Sequence, residues 1–521
     1  MARMAPPRSG VKVRMYRQGH GDCFLLAFAG REGGRLRPVY VLIDCGLKNG
    51  SEVDASIQEI IDDIHAATSG HIDIAIVTHE HLDHVNGFAR RGGGKRLFER
   101  LSVGQVWLAW TEDADDPLAN ELRARFNDTL ITLAFAEARM QGVPALDGQA
   151  TRIREFVETE TGDSCDALRA AFDAAHLDAP HASPAALAEM AITGITNKRA
   201  IAWLRDHAKE GVKFLDPEKP PVTIPHVAHS EVFVLGPPRD PSLLLDLDPQ
   251  GAEKFDLHRG GLGLDGAARG LSLALTPDGG AAEAASPFAP RYCIAQQEIT
   301  AAEPVANTGA PARTAEDYYR RSYFDPEASW RRIDDDWLDA AEGMALRLNN
   351  EVNNTSLVLA FRLPNTGKTL LFTGDAQRGN WLGWADLVWT TDNGPVTARD
   401  LLAECVLYKV GHHGSHNATL NGRPEDSHAN LGWMAQGEAA REFMAMIPAN
   451  TAWAMGRARP WAHPMPEIEA ALHRKAEGRV LRSDLDPGEA APSEPSSDAW
   501  KDYKRRLRSN RLYFEITIND S

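Results

Sequence analysis

Three apolar runs in this sequence each end on side chains that bind metal ions. They are "HIDIAIVTHEHLDH" (His71 to His84), "TLLFTGDA" (Thr369 to Ala376) and "CVLYKVGHHGSH" (Cys405 to His416). A short apolar, β-branched run reads as a buried strand. Open α/β sheets place their sites at the carboxyl ends of such strands. The pattern therefore asks for a sheet whose strand ends face one point, and the alternation of strands with helical stretches makes the expected class α/β.

The rest of the chain is read around these strands. "VKVRMYRQGHGDCFLLAFAG" predicts two strands about a glycine-rich turn, and "PVYVLIDCG" a buried strand ending at Asp44. Residues 51–68 predict an amphipathic helix, and "FARRGGGKRLFER" a helix interrupted by glycines. Residues 1–110 form a first half. Residues 111–225, dominated by Ala, Glu, Asp and Arg, form a helical insertion; 226–240 hold a core strand, "SEVFVLGPP"; 241–345 form an irregular insertion; 346–521 form the second half.

Composition narrows the function classes. The 521 residues carry a formal net charge of −17. A protein that coats a polyanion non-specifically is basic as a rule, so contact with nucleic acid would need a local basic patch. The five cysteines are scattered, odd in number and free of CxxC spacing. They suggest buried thiols in a reducing compartment. "MARMAPPRSG" has no apolar segment behind it and no run reaches membrane-spanning length, so the expectation is a cytoplasmic protein with no membrane partner.

In "THEHLDH" the ligand candidates are His79, His81, Asp83 and His84, joined from afar by Asp375 and His412. Imidazole with carboxylate suits zinc or manganese, and the absence of cysteine leaves coordination positions for water. A lone histidine-rich loop reads as a solvated turn. Three such strand ends together do not. Around them, Lys409 and Ser415 flank the His412–His413 pair as candidate phosphate contacts, Lys409 being equally readable as a solvated strand lysine. Asp44 reads either as a carboxylate orienting a metal histidine or as a turn former before Gly46. Two basic runs bear on substrate: Arg90, Arg91, Lys95 and Arg96, and the tail cluster Lys501, Lys504, Arg505, Arg506, Arg508 and Arg511, the latter better read as a solvated helix face. Trp107, Trp110 and Trp453 could stack bases, but core packing is the commoner use of such residues.

HxHxDH, GDA and a strand-end histidine, in that order, resemble the metallo-β-lactamase superfamily of metallohydrolases. The resemblance is closest to the C-terminal nuclease-like domain of the ComEC competence proteins. "QGHGDCFLL", "LIDCG", "VLGPP", "NNTSLVL", "LLFTGDA", "YKVGHHGS", "AHPMPEIEAAL" and "RVLRSD" carry it, covering roughly the first 110 residues and much of the last 170. The resemblance implies a four-layer αβ/βα sandwich with two large, mainly helical or irregular insertions. It implies His79, His81 and His412 as metal ligands, Asp83 and His84 as the second-metal pair, and Asp375 as the bridging carboxylate. One further histidine of the family pattern is replaced here by "NNTS", where Asn353 or Asn354 would reach the metal or a substrate oxygen. Amide oxygen is a weaker ligand than imidazole, so one Zn2+ or two, or Mn2+, remain open. Family position puts His20 near the groove as a substrate contact.

The implied chemistry is hydrolysis by a metal-activated water, with Asp83 holding that water and His413 either touching the scissile group or supporting a ligand. His463 is expected to be structural. The leading substrate is a phosphodiester, DNA or another nucleic acid, with Arg90 and Arg91 on the rim. The alternatives are a hydrolase of a small ester, phosphodiester or lactone, and a degenerate scaffold that binds a protein partner through 111–345.

Overall fold

The computed structural model describes residues 3–141, 146–255, 338–457, 460–486 and 498–521. Most of the irregular insertion expected over 241–345, Cys293, and the Pro/Ser-rich stretch at 488–497 lie outside the described residues.

The chain is a mixed α/β structure with several sheets. In chain order the strands are β1 (Gly10–Tyr16), β2 (Cys23–Glu32), β3 (Arg35–Cys45), β4 (His71–Ile76), β5 (Arg91–Gly92), β6 (Lys95–Arg96), β7 (Ser102–Ala109), β8 (Val212–Leu215) and β9 (Glu231–Gly236). They continue with β10 (Val358–Arg362), β11 (Thr369–Phe372), β12 (Val388–Thr391), β13 (Gly394–Thr397), β14 (Cys405–Lys409), β15 (Met444–Ile447), β16 (Val480–Arg482), β17 (Leu507–Ser509) and β18 (Tyr513–Asn519). An eight-stranded sheet runs β17-β18-β1-β2-β3-β4-β7-β8 and a six-stranded sheet runs β16-β15-β14-β11-β10-β9.

Each large sheet is antiparallel in one part and parallel in the other. The pairs β3·β4, β4·β7 and β7·β8 are parallel in the first sheet, and β11·β14, β14·β15 and β15·β16 in the second. The apolar runs that anchored the sequence reading are in these parallel parts, where both faces are covered. One apolar cluster joins residues of both sheets, among them Val13, Phe24 and Ile76 with Val234, Phe361 and Phe372. A second packs the six-stranded sheet against helical residues such as Trp381, Leu401 and Leu472. A third packs the eight-stranded sheet against Ile60, Ile64, Phe88 and Leu204.

The helix predicted at 51–68 occupies Ile57–Thr68. Ser56 caps it, accepting from Glu59 N while Glu59 reaches back to the Ser56 amide. The helix predicted through "FARRGGGKRLFER" is corrected. Helix Leu82–Ala89 stops before the glycines, and Gly93 and Gly94, both at positive φ, turn the chain into the β5·β6 hairpin.

Residues 111–225 are helical as expected over Pro117–Met140, Asp147–Thr161, Cys165–Asp178, Pro184–Thr193 and Thr196–His207, but their last stretch supplies β8, an edge strand of the main sheet. The helices share an apolar core of their own with Met344, Leu348 and Val352 of helix Leu338–Asn354. Glu137 ties this unit together. It is buried and accepts from Gln141, Arg154 and Arg169. Burial opposes its charge, but those donors win and hold its carboxyl below the usual range. A depressed carboxyl stabilises the fold above its unfolded value, near pH 4. That contribution is lost as pH falls through the lower folded value. Glu137→Gln is expected to cost about 1–3 kcal/mol in urea unfolding at pH 7, and to flatten the acid limb of the stability profile.

Candidate metal centre

Strand ends from both sheets meet at the site. β3 delivers Asp44, β4 leads through Thr78 to His79, β11 leads to Asp375 and β14 to the His412–His413 pair. β2 starts from Asp22, at the same edge, because Cys23 lies opposite Cys45 in the antiparallel β2·β3 pair. His81 occupies the cap position of helix Leu82–Ala89, which sets Asp83 and His84 in the first turn. That helix sits directly on the β3 turn: a Cβ at Gly46 would run into the backbone of Asp83 and His84.

Two groups of buried side chains among the described residues are compact enough to hold an ion. One is Asp22, His84, Asp375 and His413; the other is His79, His81 and Asp375. Asp375 belongs to both.

The ring nitrogens explain how the imidazoles are aimed. His84 Nδ1 meets Asp44 Oδ2 at 2.8 Å, leaving Nε2, which lies 3.3 Å from Asp375. Asp44 also accepts from the Thr78 amide at 2.8 Å, so it is fixed from two sides. His413 Nδ1 donates to Pro448 O at 2.6 Å, and its Nε2 faces Asp83 at 3.0 Å and Asp375 at 3.9 Å. His79 Nδ1 lies 3.2 Å from the hydroxyls of Thr78 and Ser356, and its Nε2 faces His81 Nδ1 at 3.0 Å. His81 Nε2 meets Glu160. Each ring thus has one nitrogen committed to a supporting group and the other turned toward Asp375, Asp83 or a neighbouring imidazole. Such supporting partners fix the tautomer and orientation of a metal-binding histidine.

Charge is balanced tightly. Burial opposes ionisation of Asp375, but His84, His413 and His412 hold it well below the usual carboxylate range. Asp83 is likewise held low, against burial, by Lys48 at 3.0 Å and by His413. Burial pushes Asp22 upward, with Lys409 as the main opposing group. His84 is raised because Asp375, Asp22 and Asp44 together outweigh its burial.

Several predicted residues play other parts. His412 belongs to neither group, whereas His413 belongs to the first. Both adopt left-handed backbone, φ 43° and 53°, which breaks the alternation a strand would impose and swings the second ring to the floor. His412 is half-buried, its amide donating to Asp375 at 3.2 Å. Asp83 is outside both groups but touches them through His413. Asn354 is spent structurally, donating to the Leu243 and Leu244 carbonyls and accepting from Gln377 N and Asn380. Asn353 keeps a place beside the site, 3.5 Å from His412 Nε2.

Lys409 is neither solvated nor open to a substrate, for it is buried, ion-paired with Asp22 and donating to Gly374 O at 2.7 Å. Ser415 is buried and bonds Asn417. His20 is buried behind His413, accepting from Asn450 N and stacked on His463. Arg90 bonds Asn49, while Arg91 and Lys95 are exposed on the β5·β6 hairpin. The tail cations are largely neutralised, Lys501 by Asp498, Arg505 and Arg506 by Asp502, and Arg511 by Glu59. Trp107 and Trp110 are core residues, and Trp453 is half-buried between His20 and Arg457.

Sequence reasoning assigned no role to Asp22, Lys48, Ser356 or Glu160. Asp22 had a signal, a carboxylate just before a strand that neighbours "LIDCG". Glu160 had none among the many glutamates of its segment. No family model, curated protein or solved structure matches the chain.

The donor set fits a divalent cation. Asp22 Oδ1, His412 Nδ1 and Asn353 Oδ1 are buried without a hydrogen-bond partner, as are Asp83 Oδ1 and His84 Nε2, which meet Lys48 and Asp375 only as ion pairs. Orphaned acceptors are costly in a folded interior unless something binds them. Here several crowd one place, all of oxygen or imidazole type.

Proposed function

We propose that this chain is a metal-dependent hydrolase of phosphodiesters with the metallo-β-lactamase arrangement that its motifs resemble. The observation that carries the reading is the set of imidazoles from His79, His81, His84 and His413, each braced at one ring nitrogen with the other turned inward around Asp375 and Asp83. The three apolar clusters, one between the two large sheets and one on the outer face of each, support a four-layer αβ/βα arrangement. The presence of Asp375 in both residue groups supports two ions, Zn2+ or Mn2+, sharing one carboxylate. The buried, unpaired state of the described cysteines supports a reducing, cytoplasmic setting.

A divalent ion at such a site supplies Lewis acidity and brings the pKa of a water toward about 7. The protein's own groups do the remainder. His84, His413 and His79 present their other ring nitrogens inward because Asp44, Pro448 and the Thr78 and Ser356 hydroxyls hold the first ones. Asp83, kept anionic by Lys48, would orient an attacking water by accepting a hydrogen bond from it.

A second reading, a small diester or ester substrate, is favoured by burial. His79, His81, Asp83, His84, Asp375 and His413 are each 4% exposed or less, an enclosure that suits a small substrate better than a polymer. A scaffold binding a partner through 111–345 is the third.

The test offers bis-p-nitrophenyl phosphate, linear, circular and single-stranded DNA, and RNA to the purified protein with Zn2+ or Mn2+, beside Asp83→Ala and His84→Ala. Metal-dependent cleavage of polymer, lost in both variants, is the expected result for a nuclease. Turnover of the small diester alone selects the second reading. Protein that neither takes up metal nor turns over any of these refutes the hydrolase.

A further inference from the structure

The inserted helices reach into the metal centre. Glu160, in the last turn of helix Asp147–Thr161, is buried, and its two carboxylate oxygens lie 2.8 and 2.9 Å from His81 Nε2. Asn349, on helix Leu338–Asn354, donates to Glu160 Oε1 at 2.9 Å and steadies the carboxylate from the far side. The backbone is fastened as well. Asn197 Nδ2 reaches the carbonyl oxygens of Glu80, Thr159 and Glu160 at 2.9, 3.2 and 3.1 Å, and Lys198 pairs with Glu80. The His79–His81 turn is thus tied to the insertion through both a ring and the main chain.

We propose that Glu160 is the positioning residue for His81, so that the inserted helices complete the metal centre. The proposal rests on the metal-site reading above. A neutral imidazole carries one N–H. A carboxylate at Nε2 accepts that proton, which leaves the lone pair on Nδ1, and Nδ1 is the atom that faces His79 Nε2 at 3.0 Å. With the proton on Nδ1 instead, His81 has nothing to offer an ion in that place. The carboxylate also stops rotation of the ring. The supports of His84, His79 and His413 come from strand ends and loops of the two sheets. His81 takes its support from a segment that the two sheets do not need for their own pairing. Loss of the insertion's grip would therefore disable the His79–His81–Asp375 group while every ligand stayed in the chain.

The experiment measures Zn2+ affinity of the full chain by competition with a chromophoric chelator, in wild type, Glu160→Ala, Glu160→Gln and Asp375→Ala, together with the melting temperature of each metal-free protein. Glu160→Ala is expected to weaken Zn2+ by about 10–100-fold, the usual cost of losing a supporting partner. Glu160→Gln keeps the shape and a carbonyl acceptor without the charge. It should fall between Glu160→Ala and wild type, and it carries the test if the alanine variant does not fold. A merely structural role would lower the metal-free melting temperature and leave the affinity of the folded protein unchanged. Wild-type affinity in the variants that fold, beside a loss in Asp375→Ala, overturns the role of Glu160 and leaves the metal reading standing. Wild-type protein that takes up neither Zn2+ nor Mn2+ overturns both.

Discussion

Asp375→Ala is expected to reduce metal-dependent kcat/KM by about 10³-fold or more, the several kcal/mol that Lewis-acid catalysis supplies at about 1.4 kcal/mol per decade. The reason is position. Asp375 belongs to both candidate ligand groups, so its loss disables two at once. Its Oδ2 lies 3.3 Å from His84, 3.9 Å from His413 and 4.0 Å from His79, while its Oδ1 accepts from the His412 amide at 3.2 Å. The carboxylate is also well placed by its own backbone, since Asp375 N donates to Ser356 Oγ at 2.9 Å and Ser356 in turn touches His79. Asp375→Asn keeps size and one carbonyl oxygen but drops the charge, and should remain closer to the alanine variant than to wild type. The measurement is steady-state turnover of a chromogenic diester with the bound metal counted in each protein. Full activity and full metal content in Asp375→Asn would show that no shared anion is needed.

Arg14→Leu is expected to destabilise the fold by about 3–5 kcal/mol, the cost of removing one member of a buried charged cluster. Arg14 on β1 is buried. Its guanidinium meets Asp63 of helix Ile57–Thr68 at 2.5 Å and Glu515 of β18 at 2.6 Å, and lies over the Tyr513 ring at 3.6 Å. Tyr16 adds a hydroxyl donor to Asp63 at 2.9 Å. Truncation leaves Asp63 without its cation and Glu515 with only Lys12, at 3.5 Å. Burial lowers the guanidinium's affinity for its proton, but the carboxylates of Asp63 and Glu515 overcome that and raise it, so Arg14 stays charged in the fold. Against a total stability of roughly 5–15 kcal/mol this is a large fraction. Urea unfolding followed by tryptophan fluorescence reads it directly. A triple replacement of Arg14, Asp63 and Glu515 by apolar residues of similar volume should recover much of the loss, because the penalty lies in the unpaired charges.

Much of the site was legible because strand ends are local features. An apolar run specifies a buried strand, and whatever residue follows it lies at the edge of the sheet. Hence "IVTH", "LFTGD" and "LIDCG" put His79, Asp375 and Asp44 each at the carboxyl end of its own strand. Asp44 was expected to brace a metal histidine through its second ring nitrogen, and it accepts from His84 Nδ1. The glycine-rich stretch after Ala89 misled for the opposite reason. Gly93 and Gly94 at positive φ make a reversal cheaper than a kinked helix.

The choice between His412 and His413 could not be read from residue types, since both are histidines at the same strand end. Two left-handed backbone conformations bury the His413 ring and leave His412 half-buried, and these go with the contacts of the loop to Pro448 and Asp375. Lys409 and Asn354 were misjudged because a polar side chain carries no mark of whether it will be solvated or buried; partners at Asp22 and Leu243 supply that. Glu160 is the extreme case, 79 positions from His81 in the chain. Its helix advertises only an amphipathic surface, and a glutamate on such a surface looks the same whether it faces water or an imidazole. Periodicity and strand termini are properties of neighbours along the chain. The pairing of one ring nitrogen with one distant carboxylate arises only when separate apolar faces have packed and brought their polar edges into register.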